Sequence, residues 1–200
     1  LVPSHQGLHV PTQVNYVAKA LPIFAPGETV RGPTSVITRY LRTAYLWDAV
    51  RVQGGAYGCS LGFSRFDGVA TFSSYRDPNI AATLDSYDGT GAFLRANRLS
   101  RAELSKAIIG AVGELDAPQS VDSRGFTSML RHLLGVTEAD RQIWRDEVLG
   151  TTPSDFVQFA ERMDALAGSG SVAVVGSEAA LDAANALLPE AKRLRVRRVL

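Results

Sequence analysis

Two runs of alternating apolar residues flank the dipeptide Asp67–Gly68, and together they predict a β-hairpin. Asp-Gly favours the positive φ angles of a two-residue turn, so we expect strands over 57–66 and 69–75. The expected register places Phe63 opposite Phe72 and Leu61 opposite Ser74. Because a hairpin pairs its strands antiparallel, the fold must contain an antiparallel sheet.

Further signals predict one strand before the hairpin and one strand near the end of the chain. These strands are expected over 13–21 and 171–176. Helices are expected over 33–53, 79–94, from Ser100 onward, 126–134, 138–149, from Pro153 onward and 178–188. This order has too few strand–helix alternations for a doubly wound parallel sheet. We therefore predict an α+β fold, in which an antiparallel sheet has helices packed on one face.

The two ends of the chain show little periodicity. Residues 1–11 carry Pro3, Gly7 and Pro11, and we expect them to form a leader or linker. The remaining residues, 12–200, fit one domain of ordinary size. The first residue is Leu1, so we expect the chain to begin inside a longer polypeptide or after processing. We interpret the basic residues after 190 as a solvated tail, because no aromatic side chains interleave with them.

Composition excludes several classes of function. The 21 Lys and Arg residues nearly balance 20 Asp and Glu residues, so we expect no nucleic-acid or membrane-surface partner. No apolar run approaches the roughly 20 residues of a membrane-spanning helix. A single cysteine, Cys59, excludes a disulfide framework and Cys-rich metal sites. His5, His9 and His132 are scattered, and the sequence carries no metal-hydrolase motif.

The segment 51–58, Arg-Val-Gln-Gly-Gly-Ala-Tyr-Gly, joins a predicted helix end to a strand start and is the candidate site. Gly54 and Gly55 lack Cβ atoms, so another backbone can approach them closely. Arg51 offers a planar fork of donors for carboxylate or carbonyl oxygens, and Tyr57 offers a phenol donor. Together they could grip an extended peptide or an anion. By themselves, these residues also fit a structural turn with a helix-capping arginine and a core tyrosine.

Several segments in one collinear order resemble the presequence proteases, which are zinc metallopeptidases of the pitrilysin and insulysin superfamily. They are VRVQGGAYG (50–58), VPTQVNYV (10–17), FSSYRDPN (72–79), YDGTG (87–91), KAIIG (106–110) and LRHLLGVT (130–137). The resemblance covers about residues 9–185 and implies four homologous α+β domains that form two bowls. It places a zinc site with an inverted H-x-x-E-H motif in the first domain. The last domain faces that site across a closed chamber.

By this resemblance, residues 12–200 form the C-terminal domain, which lacks the zinc site. Zn²⁺ would be held by another domain of the same polypeptide and none by this chain, which should be inactive alone. Arg51 and Tyr57 match an Arg–Tyr pair that the family's last domain contributes. Tyr57 would donate a hydrogen bond to the substrate carbonyl, Arg51 would hold a backbone carbonyl or carboxylate, and Gly54 and Gly55 would border the peptide.

The resemblance also implies partners and location. Short unstructured peptides would be the substrates, and the other domains of the polypeptide would be the partners. An apolar face left without its neighbours would let the isolated chain dimerise. The location would be cytoplasmic in a bacterium or organellar in a eukaryote.

Two other functions stay open on the sequence. One is a non-catalytic structural relative of the same fold, which the presence of both Arg51 and Tyr57 argues against. The other is a stand-alone anion- or nucleotide-binding module built on the glycines. Outside the candidate site we favour structural roles: Asp77 and Pro78 stop a strand and start a helix, and Arg76 pairs with a carboxylate. Cys59 is expected to be a small apolar residue on the inner face of the hairpin.

Overall fold

The structure, a computed structural model, describes residues 4–199, which form a mixed sheet with helices. The strands are β1 His5–His9, β2 Asn15–Pro22, β3 Gly58–Ser64, β4 Val69–Asp77, β5 Ser171–Gly176 and β6 Arg195–Arg198. The helices are α1 Pro33–Tyr40, α2 Ala81–Asp88, α3 Thr90–Ala96, α4 Arg101–Leu115, α5 Val121–Leu133, α6 Glu138–Leu149, α7 Pro153–Ala165 and α8 Glu178–Leu187. A π-helical segment, Leu41–Gln53, continues α1, and a 3₁₀ turn covers Glu190–Lys192.

The sheet has the strand order β3-β4-β2-β5-β1-β6. Strands β3, β4, β2 and β5 pair antiparallel, whereas β1 is parallel to both of its neighbours, β5 and β6. The α+β class is thus confirmed, with a parallel portion added at one side of the antiparallel sheet. The added strands are β1 and β6, from the two ends of the chain. The sequence patterns predicted no strand at either end.

The expected leader over 1–11 is therefore wrong for the residues that form β1; residues 1–3 lie outside the described part. Gly7, which suggested a linker, lies in the middle of this strand and has a packing role. A Cβ atom there would lie 3.2 Å from Leu181 of α8 and 3.4 Å from Leu194. The glycine lets α8 approach the strand closely. The basic tail likewise contributes β6, and its charged residues suit the exposed edge of a sheet.

The hairpin register also differs from the expected one. Leu61 pairs with Phe72 and Phe63 with Ala70, because residues 65–68 form a four-residue connection rather than a two-residue turn. Within it, the Gly68 amide donates to the Ser64 carbonyl over 3.0 Å, and Gly68 has a φ of 70°. The register differs by two residues, so each side chain keeps its expected face.

One face of the sheet carries the core and the other is open. Buried and exposed residues alternate along β2, β4 and β5. Val17, Phe72 and Val174 are buried beneath the helices, and the Tyr87 ring of α2 stacks on Phe72 with centroids 5.0 Å apart. The helices therefore cover one face, as expected, and the side chains of the opposite face are partly or fully exposed.

The helices follow the expected order, but the bounds of several differ from the expected ones. The predicted helix over 79–94 divides into α2 and α3 at Gly89, where a Cβ atom would lie 2.7 Å from the Tyr45 hydroxyl. Helix α5 begins at Val121, earlier than expected, and none of its residues is buried. The expected capping box at Ser100 is present, with the Glu103 amide donating to the Ser100 hydroxyl oxygen.

Candidate functional site

The candidate site begins where the π-helical segment Leu41–Gln53 ends. Its wide turns appear at the C-terminus, where the Gly54 amide donates to the Ala49 carbonyl over 3.1 Å and the Ala56 amide to the Val50 carbonyl over 3.1 Å. π-Helical geometry is rare and is found disproportionately at functional sites. Here it carries the chain directly from the core-packed helix into the glycine turn.

Each of the two positions in this turn requires glycine for a different physical reason. Gly55 has a φ of 79°, a conformation that side chains with a Cβ rarely adopt. Gly54 has an ordinary φ, but a Cβ atom would lie only 2.6 Å from the Val50 carbonyl oxygen. The backbone that approaches Gly54 closely is therefore that of its own helix. Asn79 completes the turn by donating from Nδ2 to the Gly54 carbonyl over 2.6 Å.

The amides of the turn are already engaged in backbone hydrogen bonds. Gly55 donates to the Arg51 carbonyl over 3.0 Å, and Tyr57 donates to the carbonyls of Tyr75 and Arg76. Together with the bonds of Gly54 and Ala56, these contacts use every amide from 54 to 57. A phosphate-binding loop presents free amides to its ligand, and this turn does not.

Arg51 lies in the last turn of the π-helical segment and stacks on an aromatic ring. Its guanidinium carbon is 4.0 Å from the ring centroid of Trp47, whose side chain is 48% exposed. The positive charge also acts on Cys59: burial raises the pKa of that thiol, Arg51 opposes the rise, and Asp77 adds to it. Arg51 is thus a fixed positive charge at the helix end.

Tyr57 is 67% exposed, so the interpretation of Tyr57 as a core residue is wrong. Its ring lies edge-on to Tyr75, with centroids 5.8 Å apart, and Tyr75 lies edge-on to Tyr16 at 5.4 Å. No hydrogen bond from within residues 4–199 reaches the Tyr57 hydroxyl. The phenol is held by its ring and free at its polar end, which is the arrangement that a hydrogen-bond donor to a ligand requires.

The structure places Arg51 and Tyr57 on the two sides of one glycine turn. Within the described residues no hydrogen bond or ring contact joins their side chains. It also adds Trp47, Tyr75 and Tyr16, which were not singled out from the sequence. Trp47 and Arg51 are four residues apart on a predicted helix, and this spacing is typical of two side chains that stack on one helix face. The aromatic row Tyr57–Tyr75–Tyr16 depends on strand pairing and has no local signal.

A strained residue and a buried carboxylate support this row. Arg76 has a φ of 49°, next to a bulge in the pairing of β4 with β2. Its guanidinium lies 5.6 Å from the Tyr75 ring centroid, and the expected ion pair with a carboxylate is absent from the described residues. Asp77 is fully buried and accepts hydrogen bonds from the Asn79 amide and the Thr83 hydroxyl, each over 2.8 Å. Helix α2 begins later than expected, at Ala81.

A zinc site does not fit the described residues. No group of three or more His, Cys, Asp or Glu side chains among residues 4–199 is arranged to hold a metal ion. His5 and His9 are four residues apart on one strand, roughly 13 Å along it. Nor does any helix in this part of the chain combine the length and apolar character needed to cross a membrane.

Comparisons with known proteins agree on one family. Residues 5–178 match the family described as the PreP C-terminal domain. Presequence protease 1, chloroplastic/mitochondrial, of Arabidopsis thaliana is 46% identical over 90% of this chain, which corresponds to 17% of that protein. Protein HypA of Clostridium perfringens is 35% identical over 87% of this chain and 18% of its own length. The chain thus spans less than a fifth of the length of these relatives.

Solved structures show the same fold at low sequence identity. Pitrilysin aligns with 99% of this chain, over 22% of its own chain, with a TM-score of 0.64 and 14% identity. A peptidase M16 inactive domain from Pseudomonas fluorescens aligns with 88% of this chain and 43% of its own, with a TM-score of 0.66 and 15% identity. With the family match and the 46% identical relative, they show that this chain belongs to the presequence protease C-terminal domain family of M16 peptidases.

Proposed function

We propose that this chain is the C-terminal, chamber-closing domain of a zinc metalloendopeptidase that degrades short unstructured peptides. Supporting this, residues 5–178 match the C-terminal family domain, and the chain corresponds to 17% of a presequence protease. We infer from the family that another domain of the full-length polypeptide holds the zinc ion; residues 4–199 contain no cluster of three or more potential metal ligands. The chain alone is accordingly inactive, and specificity depends on chamber size and extended peptide binding rather than on a sequence code.

The observation that carries this proposal is the exposed, ring-anchored phenol of Tyr57, which one glycine turn separates from the stacked guanidinium of Arg51. During attack on a peptide bond, negative charge grows on the carbonyl oxygen. Tyr57 donates a hydrogen bond to that oxygen, and the bond strengthens as the charge develops. Its ring contact with Tyr75 restricts the phenol before substrate arrives, so less ordering remains when the bond forms.

Arg51 binds the peptide rather than the reacting bond. Its planar fork matches a carboxylate or two carbonyl oxygens, and the Trp47 ring orients it. Gly54 and Gly55 lie between Arg51 and Tyr57 and border the bound peptide. Their main contribution is to hold the turn that separates the two side chains.

The other domains of the same polypeptide are the proposed partners. Helix α5 shows why the isolated chain could also dimerise: Phe126 is 59% exposed, Leu130 39% and Leu133 71%, and these residues share one helix face. By family, the proposed compartment is an organelle for a eukaryotic protein and the cytoplasm for a bacterial one. The alternative of a nucleotide-binding module loses support because the amides of 54–57 are all engaged.

The test is Tyr57→Phe in the full-length enzyme. Removing one donor to a developing oxyanion typically costs about 10²–10³ in rate, so kcat should fall by that order while KM changes little. Tyr45→Phe is the matched control, because Tyr45 is partly buried and stacks on Phe93 against the core, so the change should leave kcat unchanged. Arg51→Ala should mainly raise KM. An unchanged kcat/KM in Tyr57→Phe would show that the phenol has no role in the reaction and would favour the non-catalytic relative.

A further inference from the structure

A second surface, separate from the candidate site, forms a groove of about 860 Å³ between the hairpin end, α1, α4, α5 and α6. Six arginines line it: Arg39, Arg42, Arg65, Arg131, Arg141 and Arg145. Only three carboxylates, Glu114, Asp116 and Glu138, line it with them, which leaves an excess of three positive charges. We call this surface the arginine groove.

Four of the arginines already bind carboxylates. Arg145 forms a two-point contact with Asp116, at 2.5 and 2.8 Å, and Arg39 and Arg42 share Glu114. Arg141 pairs with Glu138 on its own helix at 2.5 Å. The guanidinium groups of these four arginines are therefore bound to carboxylates of the same chain.

Arg65 and Arg131 are different, because no ion pair reaches either of them from within residues 4–199. Both line the groove, and burial, followed by the Arg131 charge, lowers the pKa of Arg65. Asp140 offsets part of this effect, but it serves as the partner of the Thr137 cap of α6 instead of pairing with Arg65. Because Asp140 offsets the repulsion between these two like charges only in part, an anion that joins them is stabilising.

The fold holds Arg65 in place before any ligand binds. Its guanidinium carbon lies 4.9 Å from the ring centroid of Phe66 and 5.1 Å from that of Trp144. Trp144 also packs against the hydrophobic core, so its ring is a fixed support. The fork of Arg65 is therefore pre-oriented, which lowers the entropic cost of binding.

Carboxylates fit this groove better than phosphates. Phosphate sites use free backbone amides, commonly at a helix N-terminus. The N-terminus of α6, the helix that carries Arg141, already has Glu138 and Asp140 in its first turn. The groove also offers apolar contacts from Phe63, Leu115 and Trp144, which suit the side chains that separate carboxylates in a peptide.

We propose that the arginine groove binds an acidic peptide segment, with carboxylates on Arg65 and Arg131 and apolar side chains against the neighbouring rings. This site goes beyond the proposed function of Arg51 and Tyr57. Tyr57 precedes β3 and Arg65 follows it, so the length of the strand, roughly 20 Å, separates the two sites.

The test measures binding of two fluorescein-labelled hexapeptides to the 200-residue chain by fluorescence anisotropy at low ionic strength. One peptide alternates glutamate with leucine, and the other alternates lysine with leucine. We expect the acidic peptide to bind and the basic one not to. Arg65→Gln with Arg131→Gln should weaken acidic-peptide binding about tenfold or more, because two charge-assisted forks are lost. In a Trp47→Phe background, binding should change the fluorescence of Trp144, the remaining tryptophan.

The matched control is Arg98→Gln with Arg193→Gln, which removes the same charge from exposed positions outside the groove. An equal loss in this control would reduce the effect to general electrostatics and overturn the proposal. Arg65→Lys with Arg131→Lys keeps both charges, and several-fold weaker binding is expected because the forks are absent. Full affinity in that variant would contradict the fork contacts, and equally strong competition by inorganic phosphate at matched ionic strength would assign the groove to phosphate.

Discussion

The guanidinium carbon of Arg51 lies 4.0 Å from the ring centroid of Trp47, four residues earlier in the π-helical segment. Both side chains are partly exposed, so the contact does little for the core and mainly fixes where the arginine charge is presented. Cation–π contacts at exposed positions are worth about 0.5–1 kcal/mol. The proposed binding role of Arg51 therefore depends on the ring of a neighbouring tryptophan, which carries no charge.

Trp47→Leu in the full-length enzyme should raise KM for peptides by about two- to fivefold, which corresponds to the loss of one such contact. The kcat value should stay nearly unchanged, because Tyr57 keeps its own ring contact with Tyr75. In an Arg51→Ala background the same substitution should have no further effect on KM. Equal effects of Trp47→Leu in both backgrounds would show that the ring acts independently of the arginine.

Gly54→Ala should lower the free energy of unfolding by about 1–3 kcal/mol, because the new methyl group overlaps the Val50 carbonyl oxygen. Gly113→Ala is the matched control, near the C-terminal end of α4. A Cβ atom there meets nothing within 4 Å, so this change should raise stability by about 0.5–1 kcal/mol. Urea unfolding of the isolated chain measures both. The same sign for the two variants would contradict the close approach at Gly54.

Features that neighbouring residues specify were predicted correctly. The capping box at Ser100 needs only a glutamate three residues later, and the inner face of the hairpin follows from alternation alone. Arg51 and Tyr57 could be proposed from the sequence because both belong to one short motif. Such local preferences agree with the final structure because the tertiary contacts favour the same conformations.

Features that depend on distant residues were missed. Strand β1 is stabilised by its pairing with β5 and β6. Glycine is uncommon in strands, so Gly7 lowers the strand propensity of this segment and the strand was not predicted. The aromatic row from Tyr57 to Tyr16 requires the pairing of three strands. The predicted hairpin register was wrong for a local reason. The connection closes through the hydrogen bond from the Gly68 amide to the Ser64 carbonyl and is not a two-residue turn.

Asp77→Ala should destabilise the chain by about 2–4 kcal/mol. The carboxylate is fully buried, and its loss leaves the Asn79 amide and the Thr83 hydroxyl without their partners. Thr83→Val should cost less, because it removes only one of the two bonds. Asp67→Ala is the comparison at an exposed turn, where water replaces the lost acceptor and the change should be small. Thermal unfolding distinguishes the three variants, and an Asp77→Ala protein as stable as Asp67→Ala would contradict the buried network.

The buried side chain of Lys19 is only 4% exposed and pairs with Asp88, which also accepts from Lys192 Nζ over 3.1 Å. Burial opposes ionisation of Asp88, but the hydrogen bond and charge of Lys19, the Gly168 amide and Lys192 overcome it and hold the pKa of Asp88 below its usual value. Removing one partner of a buried pair typically costs about 3–5 kcal/mol, so Asp88→Asn should be strongly destabilising near neutral pH, whereas Lys19→Met should cost less.

The same pair predicts how stability depends on pH. Because the pKa of Asp88 is lower in the folded chain than in the unfolded chain, its stabilisation is complete above the unfolded value of about 3.9 and is lost as the pH falls through the folded value. The wild-type free energy of unfolding, measured in urea between about pH 7 and about pH 2, should therefore fall most steeply below about pH 4. Asp88→Asn should flatten this fall without abolishing it, since hydrogen bonds also lower the pKa of the exposed groups Asp116 and Asp140. Parallel pH profiles for the wild type and Asp88→Asn would show that the ion pair contributes nothing to acid sensitivity.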